Sequence, residues 1–175
     1  MHERHAGRDD LTGEHRLGDT LQLVFLGIFL AVWISDTFFL RYSTFLSGEI
    51  NYLIRFSAGT IILVFAGILA RRGLRIIFGE VRQTPHVIDK GVFAIVRHPI
   101  YLGSILTYLG LLCFSLSIAS TAVWILIIVF YWLISRYEEK LLIGRFGDEY
   151  LEYRKKVPML FPLKLSGHKA TPNPV

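Results

Sequence analysis

The sequence predicts an all-α membrane protein with about four transmembrane helices, a tight helical hairpin and a C-terminal interfacial amphipathic segment. Three observations carry this. Hydrophobic residues make up 53% of the 175-residue chain, and they come in blocks rather than at amphipathic spacing. Residues 99–135 form a run of 37 positions without a charge, too long for one straight crossing of about 20 residues. The basic residues cluster beside the apolar blocks, as they do on the cytoplasmic side of multi-pass proteins.

The first apolar block covers about 21–40 and the second about 50–70. Residues 1–20 are a polar N-terminal tail, with Arg4, Arg8 and Arg16, five acids, and His2, His5 and His15. They hold no apolar stretch followed by a small-residue cleavage site, so no secretory signal peptide is expected. Asp36, near the far end of the first span, is expected to be structural, with Arg41 and Arg55 as partners at that membrane face. In the second span Ala58, Gly59, Ala66, Gly67 and Ala70 offer small surfaces for close helix packing.

Ser115, Ser117, Ser120 and Thr121 mark the middle of the uncharged run. It divides into spans of about 99–114 and 121–135. Gly103, Thr107 and Gly110 form one small face for a neighbouring helix. From Arg136 the chain turns polar. Leu141 to Lys156 reads as an interfacial amphipathic helix or pair of helices broken at Gly147, with Tyr150, Tyr153 and the Lys155–Lys156 pair as membrane-surface anchors. Pro158, Pro162 and Gly167 loosen the chain, and 163–175 is a second polar tail. The domain thus spans 21–162.

Segment 71–99 carries six basic residues and the tail from 136 carries eight, whereas 41–49 carries only Arg41. A multi-pass arrangement with both termini cytoplasmic satisfies the positive-inside rule. The net charge of +5 is explained by headgroup contact with membrane lipids rather than by nucleic acid. Cys113 is the single cysteine, which rules out an internal disulfide. The histidines and acids show no metal-ligand spacing, so no metal site is expected. No obligate protein partner is evident.

Candidate chemistry gathers where Gly91-Val92-Phe93-Ala94-Ile95-Val96-Arg97-His98-Pro99-Ile100-Tyr101-Leu102-Gly103 enters the uncharged run. Pro99 suits the first position of a helix. That puts His98 at its cap and Tyr101 about one turn inside, where unpaired backbone N–H groups favour an anion. The alternative is an interfacial anchor, with Arg97 snorkelling and Tyr101 at the headgroups. The hairpin brings Glu138 and Glu139 to the same membrane face.

The stretch Gly91 to Gly103 resembles the Gly-x-Tyr-x-x-x-Arg-His-Pro-x-Tyr motif of isoprenylcysteine carboxyl methyltransferases and related phospholipid-type membrane methyltransferases. His86-Val87-Ile88 is similar to a segment that precedes that motif, and Glu138-Glu139 through Pro162 resembles the family's C-terminal signature. The resemblance covers about Gln83 to Pro162. It implies S-adenosyl-L-methionine as cofactor, held by 83–101 and 136–162 at the cytoplasmic face. Carried over by position, the cofactor-binding residues are Gln83, His86, Val87, Ile88, Phe93, Arg97, His98, Pro99, Tyr101, Glu138 and Glu139. Phe93 stands where the family has Tyr. Arg136 is the arginine the resemblance implies for holding substrate, and Arg136 and Glu139 are the candidate catalytic pair.

The implied reaction is methyl transfer to a lipophilic small-molecule or prenylated acceptor, most like isoprenylcysteine carboxyl O-methylation. A carboxylate acceptor is already ionised at neutral pH and needs a cation to hold it. An amine acceptor, as in phospholipid N-methylation, must lose a proton, which Glu138 or Glu139 accepts. A non-catalytic membrane protein that keeps the fold is the third reading, and it predicts no cofactor binding.

Overall fold

A computed structural model describes residues 16–79 and 86–162. The predicted polar tails and Gln83 fall largely or wholly outside these residues. All regular structure among the described residues is helical. Helix α1 spans Arg16–Ile34 and passes into a wide π turn at Ser35–Leu40. Helix α2 spans Tyr52–Gly79, α3 Pro99–Ser115, α4 Ile118–Phe146 and α5 Asp148–Lys156. Three of these segments, Thr20–Leu40, Tyr52–Gly79 and Ile118–Phe146, are long and apolar enough to cross a membrane, and α3 is a shorter apolar helix. The chain is an integral membrane protein.

Two boundaries differ from the sequence reading. Helix α2 does not stop near residue 70 but continues through Arg71, Arg72 and Arg75. Helix α4 starts before Thr121 and continues past Ser135 to Phe146. Both helices reach about 42 Å or more at 1.5 Å per residue, against a hydrocarbon core of about 30 Å. Hydrophobicity marks where lipid ends, whereas the backbone hydrogen-bond ladder continues into the interface. Gly147 does break the chain there. Its φ of +55°, a conformation glycine adopts readily, turns α4 into α5.

The predicted small face packs against α2. A Cβ added to Gly103 would stand 3.2 Å from the carbonyl of Ala66, and one on Gly110 would stand 3.1 Å from the carbonyl of Gly59. This near-backbone contact lets α2 and α3 share a long seam. On the other side, Phe29 of α1 meets Tyr108 of α3 edge-on with ring centroids 4.7 Å apart. These join Ile105, Leu112, Ile127, Tyr131 and Leu160 in the main buried core. Trp33 and Trp124 donate their indole N–H groups to the carbonyls of Leu111 and Ile105, at 3.1 and 3.0 Å.

The hairpin turn lies at Leu116–Ser117, and Ser117 caps α4 by accepting from the Ser120 N–H at 3.1 Å. At this end of the bundle Asp36 is buried, as expected of a structural residue, but its carboxylate is held by serines rather than by the guanidinium groups of Arg41 and Arg55. Its Oδ1 accepts from the Ser43 backbone N–H at 3.0 Å, and its Oδ2 accepts from the Ser43 and Ser117 hydroxyls at 2.5 Å each. Arg55 instead donates to the carbonyl of Phe114 at 2.6 Å. The apolar surroundings favour short-range hydroxyl donors on the hairpin turn over long guanidinium side chains. Asp36→Ala would remove the acceptor shared by the Ser43 N–H and the Ser43 and Ser117 hydroxyls, leave Ser117 its contact with the Ser120 hydroxyl at 2.9 Å, and untie α1 from the hairpin. It is expected to cost about 3 kcal/mol, read as a lower melting temperature in detergent. An unchanged melting temperature would show that the hydroxyls find other partners.

Candidate functional site

The opposite end of the bundle gathers the C-terminal end of α2, the start of α3, the last turns of α4, and α5. Segment 86–98 runs into α3 across this end, and the chain after α5 lies against it. Arg97 N–H donates to the Pro158 carbonyl at 2.9 Å and His98 N–H to the Met159 carbonyl at 3.1 Å. The strap that Pro158 and Pro162 were expected to loosen is therefore docked as far as Leu160, which is 2% exposed. Prolines remove donors but leave carbonyls free to accept.

His98 sits at the N-cap of α3 with Pro99 in the first helical position, as the Pro rule predicts. Its ring is buried and stacks on Tyr101, with centroids 5.6 Å apart and planes 2° from parallel. Its Nδ1 lies 3.5 Å from Glu138 Oε2, and its Nε2 lies 3.5 Å from Glu139 Oε1. The second approach lacks hydrogen-bond geometry, so Nε2 is buried with no hydrogen-bond partner. The Tyr101 hydroxyl donates to Glu138 Oε1. Thus His98, Tyr101, Glu138 and Glu139, read from two stretches about 40 residues apart, form one cluster.

Arg97 takes a different place. Its Nε and Nη2 lie 2.7 and 2.6 Å from Glu139 Oε1. Its Nη1 donates to the carbonyls of Arg154, at 3.1 Å, and of Val157. These are orphan carbonyls at the C-terminus of α5, where a cation is favoured. The guanidinium thus joins α4 to α5. Arg154 Nε adds a longer pair to Glu139 Oε2 at 3.5 Å. Arg136 is exposed, and its guanidinium lies 4.9 Å from the centre of the Trp132 ring. Among the described residues it forms no ion pair with Glu138 or Glu139.

The remaining candidates divide between surface and core. His86 is exposed. Val87 is buried with Tyr150, Tyr153 and Val157, and its N–H donates to Glu149 Oε1 at 2.9 Å. Ile88 packs beside the cluster of Leu69, Val92, Phe93, Val96 and Leu102. The Phe93 carbonyl accepts from the Tyr153 hydroxyl at 2.6 Å. Tyr150 and Tyr153, expected as membrane-surface anchors, are buried at 3% and 8% exposure. They hold α5 against segment 86–93. The amphipathic spacing of 148–156 identified a face, but not that a loop rather than lipid would cover it. Glu149 was not singled out in the sequence, because an acid in the first turn of a helix looks like any capping residue.

Burial works to lower the pKa of His98, but the carboxylates of Glu138 and Glu139 against its two ring nitrogens outweigh it and raise the value. A raised folded-state value gives stability that is fully present below the unfolded pKa and lost as pH rises through the folded one. The melting-temperature gap between the native protein and His98→Gln is therefore expected to be widest on the acid side of the unfolded imidazole pKa and to narrow as pH rises through the raised folded value. A gap that widens with pH would contradict the cluster's charge arrangement.

Chemically, the cluster pairs carboxylates with a buried imidazole nitrogen that lacks a partner, beside the N-terminus of α3. It suits a ligand carrying both a cationic and an anionic group. Among the described residues, no group of three or more His, Cys, Asp or Glu side chains is arranged to hold a metal ion.

Comparison with known proteins gives the same direction. Protein-S-isoprenylcysteine O-methyltransferase of Schizosaccharomyces pombe is 37% identical over 84 residues, covering 47% of this chain and 36% of that protein. Methanethiol S-methyltransferase 1 of Bradyrhizobium diazoefficiens is 33% identical over 107 residues, covering 51% of this chain and 34% of that protein. The chain thus aligns with about a third of the length of each relative. No solved structure matches. The phospholipid methyltransferase family matches residues 54–149, more than half of the chain and including both halves of the cluster. The chain belongs to the phospholipid methyltransferase family.

Proposed function

We propose that the protein transfers a methyl group from S-adenosyl-L-methionine to a lipophilic acceptor at the cytoplasmic membrane face, with both termini cytoplasmic. The observation that carries this reading is the buried ring of His98, whose Nε2 has no hydrogen-bond partner, set beside Glu138 and Glu139 at the first turn of α3. His98, Pro99, Tyr101 and Glu138 would hold the methyl donor, joined by segment 83–88. Bound there, the donor supplies a methyl group activated on a sulfonium.

The chain's own work is to orient and to exclude water, which contributes much of the rate in a reaction that needs little covalent help. Tyr101 orients Glu138 through its hydroxyl. Arg97 fixes Glu139 and holds α5 over the cluster. Glu139 contributes as a positioning group for His98 and Arg97, while Glu138 remains to meet a cation or take a proton.

Carboxyl O-methylation of a prenylated cysteine is the specific reaction favoured by the motif resemblance and by the fission yeast relative. A second reading, methylation of an uncharged thiol or amine, is favoured by where the arginines go. Arg97 is engaged by Glu139 and the α5 carbonyls, and Arg136 lies on Trp132. With these two arginines already engaged, a carboxylate head would meet the carboxylates of Glu138 and Glu139. A proton-bearing head would find in Glu138 a group to take its proton.

Incubating purified protein with methyl-labelled donor and lipid extract tests the reading. Label is expected in an organic-soluble product. Binding of donor without transfer to any lipid fraction would count against a lipophilic acceptor, and absence of donor binding would favour a non-catalytic role.

A further inference from the structure

We infer that the Ser135 hydroxyl receives the reacting head of the methyl acceptor, an assignment that rests on the methyl-transfer reading above. The buried face of α4 carries Ile127, Tyr131, Ser135 and Glu139 at every fourth position, so these residues lie in one row along the helix. Both neighbours of Ser135 in that row touch the start of α3. Glu139 approaches Arg97 and His98, and the Tyr131 ring lies 5.1 Å from the Tyr101 ring. Ser135 therefore faces the α3–α4 seam one turn deeper into the apolar bundle than the carboxylates.

Its hydroxyl is fully buried and has no hydrogen-bond partner. A helical hydroxyl commonly relieves itself on the carbonyl four residues back. Ser104, Thr107 and Thr121 do so here, at 3.2, 2.9 and 2.8 Å. Ser135 does not. A buried hydroxyl left in this state is unfavourable, and a bound polar atom would satisfy it. Among the described residues, His98 Nε2 and Ser135 Oγ are the buried polar atoms at this end without a hydrogen-bond partner, one 3.5 Å from Glu139 and the other a helical turn before it. The imidazole is on the interfacial side, from which a polar donor arrives. The hydroxyl is on the apolar side, from which a lipophile arrives. Because a hydroxyl both donates and accepts, it can hold the head without taking up charge.

The test measures steady-state methylation of a long-chain thiol, a long-chain amine and an S-prenylated cysteine carboxylate by wild type, Ser135→Ala and Ser115→Ala. Ser115 is also buried without a partner, but it lies at the far end of α3 and controls for removing any such hydroxyl. Ser135→Ala is expected to raise the acceptor KM up to about tenfold, the loss of one hydrogen bond. It should leave the donor KM unchanged and not lower the melting temperature, and Ser115→Ala should alter neither KM. Equal acceptor KM values in wild type and Ser135→Ala would overturn the assignment, as would a matching rise in Ser115→Ala. Donor binding with no methylation of any probe would overturn the placement of an acceptor in this seam. Failure to bind donor would instead overturn the methyl-transfer reading beneath it.

Discussion

Arg97→Ala is expected to unfold the α5 end of the bundle. Glu139 is 4% exposed, and Arg97 contacts its Oε1 through two nitrogens. Removing one partner of a buried pair typically costs about 3–5 kcal/mol, an upper bound here because His98 and Arg154 still approach Glu139 at 3.5 Å. The same substitution strips the α5 carbonyls of Arg154 and Val157 of their donor. Release of α5 would in turn expose Tyr150, Tyr153 and Val157. Arg97→Lys keeps the charge but cannot reach both Glu139 and the carbonyls, so it should recover only part of the loss. Limited proteolysis checks this, with cleavage near Gly147 expected in Arg97→Ala well below the melting temperature of the membrane helices. Equal resistance in mutant and wild type would show that α5 docks without this link.

His98→Ala is expected to leave the fold largely intact but to raise the donor KM by about tenfold to a hundredfold, the range for losing a hydrogen bond to a charged group. The imidazole is the group whose Nε2 has no hydrogen-bond partner, and its ring is stacked on Tyr101. Removing it also leaves Glu138 and Glu139 nearer to each other's charge without a cation between them. The acceptor KM should change little, in contrast with Ser135→Ala. A His98→Ala protein with wild-type donor KM would separate this cluster from the donor.

How much of this was legible in the sequence depends on distance along the chain. Pro99 starting α3, the turn at Ser115–Ser117, the break at Gly147 and the small face of Gly103 and Gly110 are local rules, and each holds. The juxtaposition of His98 with Glu138 and Glu139 was also legible, because one hairpin brings both ends of a charge-free run to one face. Partners set by packing were not. Asp36 finds Ser117, Arg97 finds the end of α5, and Tyr153 finds Phe93, contacts separated by 81, 60 and 60 residues. Spacing says that a side chain is polar or lies on a face, not which element will cover it. Arg136 illustrates the reverse case. The resemblance implies it as the arginine that holds substrate, while its guanidinium lies 4.9 Å from the centre of the Trp132 ring on the exposed surface, a contact that spacing alone does not foretell.

The most direct test of the central claim is calorimetric titration of the detergent-solubilised full chain with S-adenosyl-L-methionine, run in parallel on wild type and His98→Ala. Saturable binding to the wild type that weakens by at least about tenfold in the variant is the predicted result. No binding to folded wild type, or equal binding to both proteins, would contradict it.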